Sequence, residues 1–167
     1  MNLTSQSPAE PLPDLRWVNV VAGVDDQGQV RPMSYAALAS VPDQWATTES
    51  TPTGVADLLH TTRATFALAW FHYELLVVSV AWSLLAVEAA LRDRLSADDK
   101  SPLRALLTLA GRDLLLSTED IDRLEAGRVL RNRLTHARNQ QAWSVGLAAP
   151  VVAASHHAVT LIYPDPI

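Results

Sequence analysis

Leu75 to Val87 read LLVVSVAWSLLAV, the most apolar run of the chain, and Glu74 and Glu88 close the run at its two ends. The run has 13 residues, whereas a helix that spans a membrane needs about 20. We therefore expect a buried core helix, and we expect no membrane as a partner. This helix is the starting point from which the other elements are placed.

A helical pattern surrounds the run and extends from Val55 to about Leu95, a stretch without proline or glycine. One helical face is predicted by residues that recur in steps of three and four: Val77, Ala81, Leu84, Glu88, Leu91 and Leu95. A single helix over this stretch would be about 60 Å long at 1.5 Å per residue, which exceeds an ordinary domain. We therefore expect a break near His72 to Glu74.

Proline separates the first third of the chain from the rest. Six of the ten prolines lie in the first 52 residues, so residues 1–53 are predicted to be a mostly non-helical N-terminal arm of turns and short extended pieces. A strand is predicted at Trp17 to Val21, a turn at Asp25 to Gly28, and a returning strand at Gln29 to Arg31. Residues 54–167 are predicted to form a helical domain.

Capping residues and breakers divide the second half of the chain into helices. Ser101 and Pro102 predict one helix start, and Gly111 is expected to end or disturb that helix. Ser117-Thr118-Glu119-Asp120 predicts the start of the next helix, which runs to about Arg138. Pro150 is expected to start a last helix through about Ile162. The predicted fold class is all-α, an antiparallel helical bundle with the arm at its N-terminus.

Composition excludes several classes of protein. The chain has 167 residues, 49% of them hydrophobic, enough for one domain with a sizeable core. It holds no cysteine, which excludes a disulfide scaffold and a cysteine-ligated metal site. Its net charge of −5 excludes a general basic coat for nucleic acid. The first 20 residues show no basic start followed by an apolar run, so we expect no secretory signal and a cytoplasmic location.

Positive charge is nevertheless concentrated in one segment. Between Arg123 and Arg138 there are five arginines and one acid, Glu125, so this segment carries +4 and the rest of the chain −9. At about 100° per residue, one face of the predicted helix is polar and the opposite face is apolar. The polar face holds Arg128, Arg131, Asn132, Thr135, His136 and Asn139, and the apolar face holds Ala126, Leu130, Leu134 and Ala137.

These side chains suit cleavage of an RNA phosphodiester without a metal or other cofactor. Arginine binds phosphate bidentately, and histidine can take or give a proton near neutral pH. His136 would act as the acid or base, and Arg131 would stabilise charge on the phosphoryl oxygens. The two side chains lie about 140° apart around the helix. A twofold dimer that places two such helices opposite each other would therefore surround a phosphate more completely.

The segment Leu130-Arg131-Asn132-Arg133-Leu134-Thr135-His136 resembles the signature of HEPN (higher eukaryotes and prokaryotes nucleotide-binding) domains, an arginine and a polar residue followed after three residues by a histidine. The segment LAVEAALR at 85–92 is similar to the glutamate-containing core helix of that family. The resemblance spans about residues 55 to 163. It implies a helical bundle that dimerises, and many members are metal-independent ribonucleases of toxin–antitoxin and antiviral systems, with the arginine and histidine as the active pair. Other members are inactive binding or scaffolding modules.

The predicted function is therefore a metal-independent endoribonuclease of a toxin–antitoxin or antiviral defence system. Its expected partners are RNA, a second copy of the chain, and an antitoxin or defence-system protein. His136 is the predicted acid–base, Arg131 the phosphate stabiliser and Asn132 the positioning group. Further phosphate contacts are predicted for Arg128, Arg133, Thr135 and Asn139. The alternatives are a silent HEPN module that binds RNA, nucleotide or protein, and a helical adaptor in which the motif serves an interface.

Some side chains admit two interpretations. Glu88 lies in the apolar stripe, and a buried carboxylate needs a partner. That partner is either Arg131 on a neighbouring helix, which would support the site, or Arg92, four residues along the same helix. Arg128, Arg133 and Arg138 would also fit a solvated basic face. Structural roles are predicted for four histidines that show no metal-ligand spacing: His60, His72, His156 and His157.

Overall fold

The computed structural model describes residues 12–134 and 144–166. The protein is an all-α helical bundle that carries a small two-stranded sheet near its N-terminus. Its helices are α1 (Tyr35–Ser40), α2 (Thr53–Leu68), α3 (Leu75–Leu95), α4 (Leu103–Arg112), α5 (Thr118–Leu134) and α6 (Val145–Ile162). The strands are β1 (Val21–Val24) and β2 (Val30–Pro32), which pair antiparallel.

Helix α3 is the central helix of the bundle, as its apolar sequence predicts. It packs against α2, α4, α5 and α6. The predicted stripe is only partly right: Leu84 and Leu91 are fully buried, but Val77, Ala81 and Glu88 are half-buried. The deeply buried face is instead centred on Leu76, Val80, Ser83, Val87 and Ala90. Other helices cover α3 on several sides, so more than one of its faces is apolar. The periodicity of apolar residues alone therefore cannot show which face is most deeply buried.

The predicted break between the first two long helices is confirmed. Helix α2 ends at Leu68 and α3 begins at Leu75. The arm packs into this break: Trp17 is buried, and its indole N–H donates to the carbonyl of Ala69 at 2.9 Å. The Trp17 ring lies 4.8 Å from the ring of Tyr73, centroid to centroid. The arm therefore forms part of the core.

The arm contains more helix than its sequence pattern indicates. The strand predicted at Trp17 to Val21 is wrong, because Leu15–Asn19 forms a 3₁₀ helix and β1 begins only at Val21. The Asp14 carboxylate caps the 3₁₀ helix by accepting from the backbone N–H of Arg16 at 3.0 Å. The predicted turn and returning strand are confirmed: the Asp25 carboxylate accepts backbone N–H groups within the turn, and β2 follows it.

Two predicted helix starts need correction. Helix α4 begins at Leu103 with Pro102 as its N-cap, and the carbonyl of Ser101 accepts a hydrogen bond from Arg92 at 3.1 Å. Helix α6 begins at Val145, five residues before Pro150, so this proline lies inside the helix, where it lacks the N–H that would bond to the carbonyl of Gly146. The predicted start of α5 is confirmed, since the hydroxyl of Ser117 accepts the N–H of Asp120 at 3.2 Å.

By length and composition alone, α3 and α6 could each cross a membrane. The most apolar 18-residue window is 50% buried in α3 and 44% buried in α6. The two helices pack against each other, so about half of that apolar surface already lies in the core.

Candidate functional site

The predicted site residues fall on the last two turns of α5 and beyond them. Arg128, Arg131, Asn132 and Arg133 lie in α5. Thr135, His136 and Asn139, together with Ala137 and Arg138, lie outside the described residues. The structure therefore places the arginine and asparagine of the motif.

Helix α5 packs only partly through the predicted face. Leu124 and Gly127 are buried, while Ala126, assigned to the packing face by its sequence pattern, is exposed. Leu130 is half-buried against the core. The reason is Gly127: a Cβ there would lie 2.6 Å from Cγ1 of Val151, so the missing side chain lets α6 approach closely. A hydrophobicity pattern does not count glycine as apolar, so the sequence did not indicate Gly127 as a packing position.

Arg131 continues the row formed by Leu124 and Gly127, in steps of three and four, and is half-buried where that row reaches the solvent. Its Nε and Nη2 atoms both donate to the side-chain oxygen of Asn132, each at 3.2 Å. One edge of the guanidinium therefore faces the side-chain oxygen of Asn132. The positioning role of Asn132 stays a prediction, and a guanidinium is suited to binding a planar pair of phosphoryl oxygens.

Arg128 is held by an acid on its own helix. Its Nε and Nη2 atoms donate to the two carboxylate oxygens of Glu125 at 2.7 and 2.6 Å. This bidentate contact lowers the pKa of Glu125 and raises the pKa of Arg128. A phosphate at Arg128 would have to compete with this carboxylate. Asn132 and Arg133, by contrast, are exposed.

Of the two interpretations of Glu88, the structure shows the second, a pair with Arg92 on the same helix. Its carboxylate forms an ion pair with Arg92, one turn further along α3, and both side chains are half-buried. Arg92 also donates to the carbonyl of Ser101 at the start of α4. Glu88 is therefore paired with the arginine that links α3 to the segment that leads into α4. Among the described residues, Glu88 forms no hydrogen bond or ion pair with Arg131.

A groove between α5 and α6 was not predicted. It has a volume of about 450 Å³, and its lining residues include the small side chains of Ala126 and Ala153 together with Arg123 and His157. The His157 Nε2 atom lies 3.7 Å from the Asp120 carboxylate. The small residues on both helices were the signal in the sequence, since small side chains facing each other leave a groove at a helix–helix contact.

The histidines of α6 differ in environment. His156 is buried, and its Nδ1 atom lies 3.3 Å from the carbonyl of Ala46. Burial, together with the nearby Arg63, lowers the pKa of His156 to about 4, so the ring is neutral at pH 7. This is a structural histidine, as expected. Residues 12–134 and 144–166 contain no group of three or more histidine and acidic side chains that could hold a metal ion.

Comparisons of the chain with protein-family models, with curated proteins and with solved structures give no match. The likeness to HEPN domains therefore depends on the quoted segments of sequence.

Proposed function

We propose that the protein is a HEPN-like, metal-independent endoribonuclease of a toxin–antitoxin or antiviral defence system that acts as a homodimer. The observation that carries the proposal is the contact of Arg131 with Asn132 on α5, five residues before His136 in the sequence. A guanidinium of fixed orientation, half-buried at the end of a packed row, is suited to stabilising charge on a phosphoryl group.

In this mechanism His136 takes the proton of a ribose 2′-hydroxyl, and the resulting oxygen attacks the adjacent phosphorus. The bond from phosphorus to the 5′ oxygen breaks, and that oxygen leaves with a proton supplied by an acid of the composite site or by water. The products are a 2′,3′-cyclic phosphate and a 5′-hydroxyl. Arg131 stabilises the negative charge that develops on the two non-bridging oxygens, and Asn132 holds Arg131 in place.

An apolar stripe on α3 that is exposed at Trp82 and Leu85 and half-buried elsewhere supports a homodimer. It consists of residues in alternating steps of three and four: Leu75, Val78, Trp82, Leu85 and Ala89. Trp82 and Leu85 are 38% and 40% exposed, although both are large apolar side chains. This spacing forms a seam between two helices, and the same stripe on a second copy would be its own complement about a twofold axis.

The alternative function, a catalytically silent module that binds RNA, nucleotide or protein, is favoured by a different observation. Two of the α5 arginines are engaged by acids of the same helix, Arg123 by Glu119 and Arg128 by Glu125. These ion pairs reduce the positive charge available to a nucleic acid. They also suit a helix that stabilises itself through its own charges.

The decisive experiment compares three proteins on RNA in the presence of a chelator: wild type, His136→Ala and, as a matched control, His60→Ala. His60 is an exposed histidine of α2, away from the motif. We expect wild type and His60→Ala to cleave, and His136→Ala to lose about 10²- to 10⁴-fold in rate, the usual contribution of a general acid–base. RNA with a single 2′-deoxy nucleotide at the cut position should resist cleavage.

Other outcomes of the same assay separate the alternatives. Binding of RNA by all three proteins without cleavage would identify the silent module. If none of the proteins binds or cleaves RNA, the helical adaptor is the remaining interpretation. Cleavage that disappears with the chelator, or that His136→Ala retains, would contradict the proposed chemistry.

A further inference from the structure

Arg63 of α2 is a half-buried arginine to which the fold supplies no partner. Its side chain forms no hydrogen bond or ion pair with residues 12–134 or 144–166, and its Nε atom is buried without an acceptor. Burial lowers the pKa of Arg63, and Asp43 opposes this shift through its charge without forming an ion pair. Because buried polar groups are normally bonded, the guanidinium indicates that an acceptor from outside the described chain binds here.

Arg63 lines a cavity between α2 and the segment that precedes this helix. The cavity has a volume of about 240 Å³, several times the roughly 30 Å³ that one water molecule occupies in the liquid. Its other described lining residues are Thr47, Ala56, Asp57 and His60. None of them belongs to the proposed ribonuclease site, so a ligand in this cavity is independent of the proposed function.

Asp57 brings an opposite charge to the same cavity. Its carboxylate is exposed and forms no ion pair with any described residue. Asp57 and Arg63 are six residues apart on α2, a rise of about 9 Å at 1.5 Å per residue, and they form no ion pair with each other. A cavity lined by one unpaired cation and one unpaired anion is complementary to a molecule that carries both charges.

The buried side chain of His156 is a second observation at Arg63. It is 1% exposed, its Nδ1 atom lies 3.3 Å from the carbonyl of Ala46, and its Nε2 atom has no partner among the described residues. Burial and then the positive charge of Arg63 lower the pKa of His156 to about 4, so the two side chains lie near each other. Within the described chain, two of the three buried side-chain nitrogens without a partner therefore lie in this region.

We propose that the cavity binds a small zwitterion, an α-amino acid or a related compound with one carboxylate and one ammonium group. The carboxylate pairs with the guanidinium of Arg63 and supplies the acceptor that the fold does not. The ammonium group pairs with the carboxylate of Asp57. The bound carboxylate also offsets the positive charge that acts on His156, so the pKa of His156 rises when the ligand binds.

The test measures binding of glycine to the full chain by NMR titration at constant ionic strength. Acetate and methylammonium are the analogues that carry one charge each. The variants are Arg63→Gln and Asp57→Asn, each of which removes one charge and keeps a polar side chain. Arg112→Gln and Asp113→Asn are the matched controls, because both residues are exposed at the end of α4 and outside the cavity. Thermal melting of each variant shows that it is folded.

We expect glycine to bind about tenfold more tightly than either analogue, since each analogue makes only one of the two charge-assisted contacts. Arg63→Gln and Asp57→Asn should each weaken glycine binding about tenfold, and the two controls should not change it. Absence of glycine binding to wild type would overturn the proposal. So would acetate that binds as tightly as glycine, or Asp57→Asn that binds glycine like wild type.

The NMR titration of His156 gives a readout that does not depend on affinity. Saturating glycine should raise the pKa of His156 in wild type from its value of about 4. In Arg63→Gln the rise should be absent, because the charge that the ligand offsets is no longer present. A pKa of His156 that glycine leaves unchanged in wild type would contradict binding at Arg63.

Discussion

Gly127 of α5 and Val151 of α6 are in such close contact that a Cβ on residue 127 would lie 2.6 Å from Cγ1 of Val151. Val151 is buried, and its branched side chain projects from the helix backbone with little freedom to move away. The contact therefore determines how closely α5 approaches α6. It also determines which face of α5 is turned to the bundle, and therefore which of the α5 arginines lie on that face.

Gly127→Ala should destabilise the protein by about 1–2 kcal/mol. The destabilisation from overpacking against Val151 is expected to exceed the stabilisation from the higher helix propensity of alanine. Chemical denaturation measures this change. Gly54→Ala is the matched control: it lies in the first turn of α2 with open space around the added Cβ, and should be neutral or slightly stabilising. A second change, Val151→Ala, should recover part of the loss caused by Gly127→Ala. Equal stability of Gly127→Ala and wild type would contradict the close contact.

The elements that could be predicted are those with a local cause. The break between α2 and α3 is an exception, since it was predicted from the length limit on one helix. The start of α5 follows from the capping geometry of Ser117 with Asp120. The turn before β2 follows from Asp25, whose carboxylate needs only its sequence neighbours. Such features depend on residues within one turn of each other, so the sequence contains them in full.

Features that depend on a second element could not be obtained in this way. The packing face of α5 depends on Gly127 meeting Val151, 24 positions later in the chain. The burial of Trp17 depends on the carbonyl of Ala69, which α2 leaves unpaired where it ends. For the candidate site, the residue types and their order on α5 could be read directly. The sequence alone left Arg128 available to phosphate. Only the side-chain geometry shows that Arg128 pairs with Glu125.

Two arginines three residues apart should respond differently to the same substitution. Arg131→Gln is expected to lower RNA affinity about tenfold, because it removes the guanidinium that Asn132 orients. Arg128→Gln should leave RNA affinity nearly unchanged, because Glu125 already engages Arg128. Its cost is instead a few tenths of a kcal/mol in stability, typical of an ion pair within one helix. Fluorescence anisotropy with labelled RNA measures the affinities, and thermal melting measures the stabilities. Equal loss of affinity in the two variants would show that the helix binds RNA as a general basic face.

Association of the chain should depend on the α3 stripe. Leu85→Glu is expected to convert the dimer to a monomer at micromolar concentration, because a carboxylate would have to be desolvated in the seam. Leu161→Glu on α6 is a closely matched control, since Leu161 is also 40% exposed and receives the same substitution. It should leave the dimer intact. Sedimentation velocity gives the mass of each protein. A wild-type chain that sediments as a monomer, or a dimer that survives Leu85→Glu, would exclude this interface.

His156 should make the stability of the fold depend on pH. Its folded pKa is lowered to about 4 by burial and by the positive charge of Arg63, whereas an unfolded histidine titrates near 6.5. Between these values the unfolded chain binds a proton that the folded chain does not. Stability therefore falls as the pH drops below about 6.5, by up to about 3 kcal/mol once it reaches 4. Thermal melting across this pH range should show the loss of stability. The control variant His60→Asn, at an exposed site on α2, should show the same pH dependence as wild type. NMR titration of wild type gives the decisive value, because a His156 ring that titrates near 6.5 would contradict its burial as a neutral side chain.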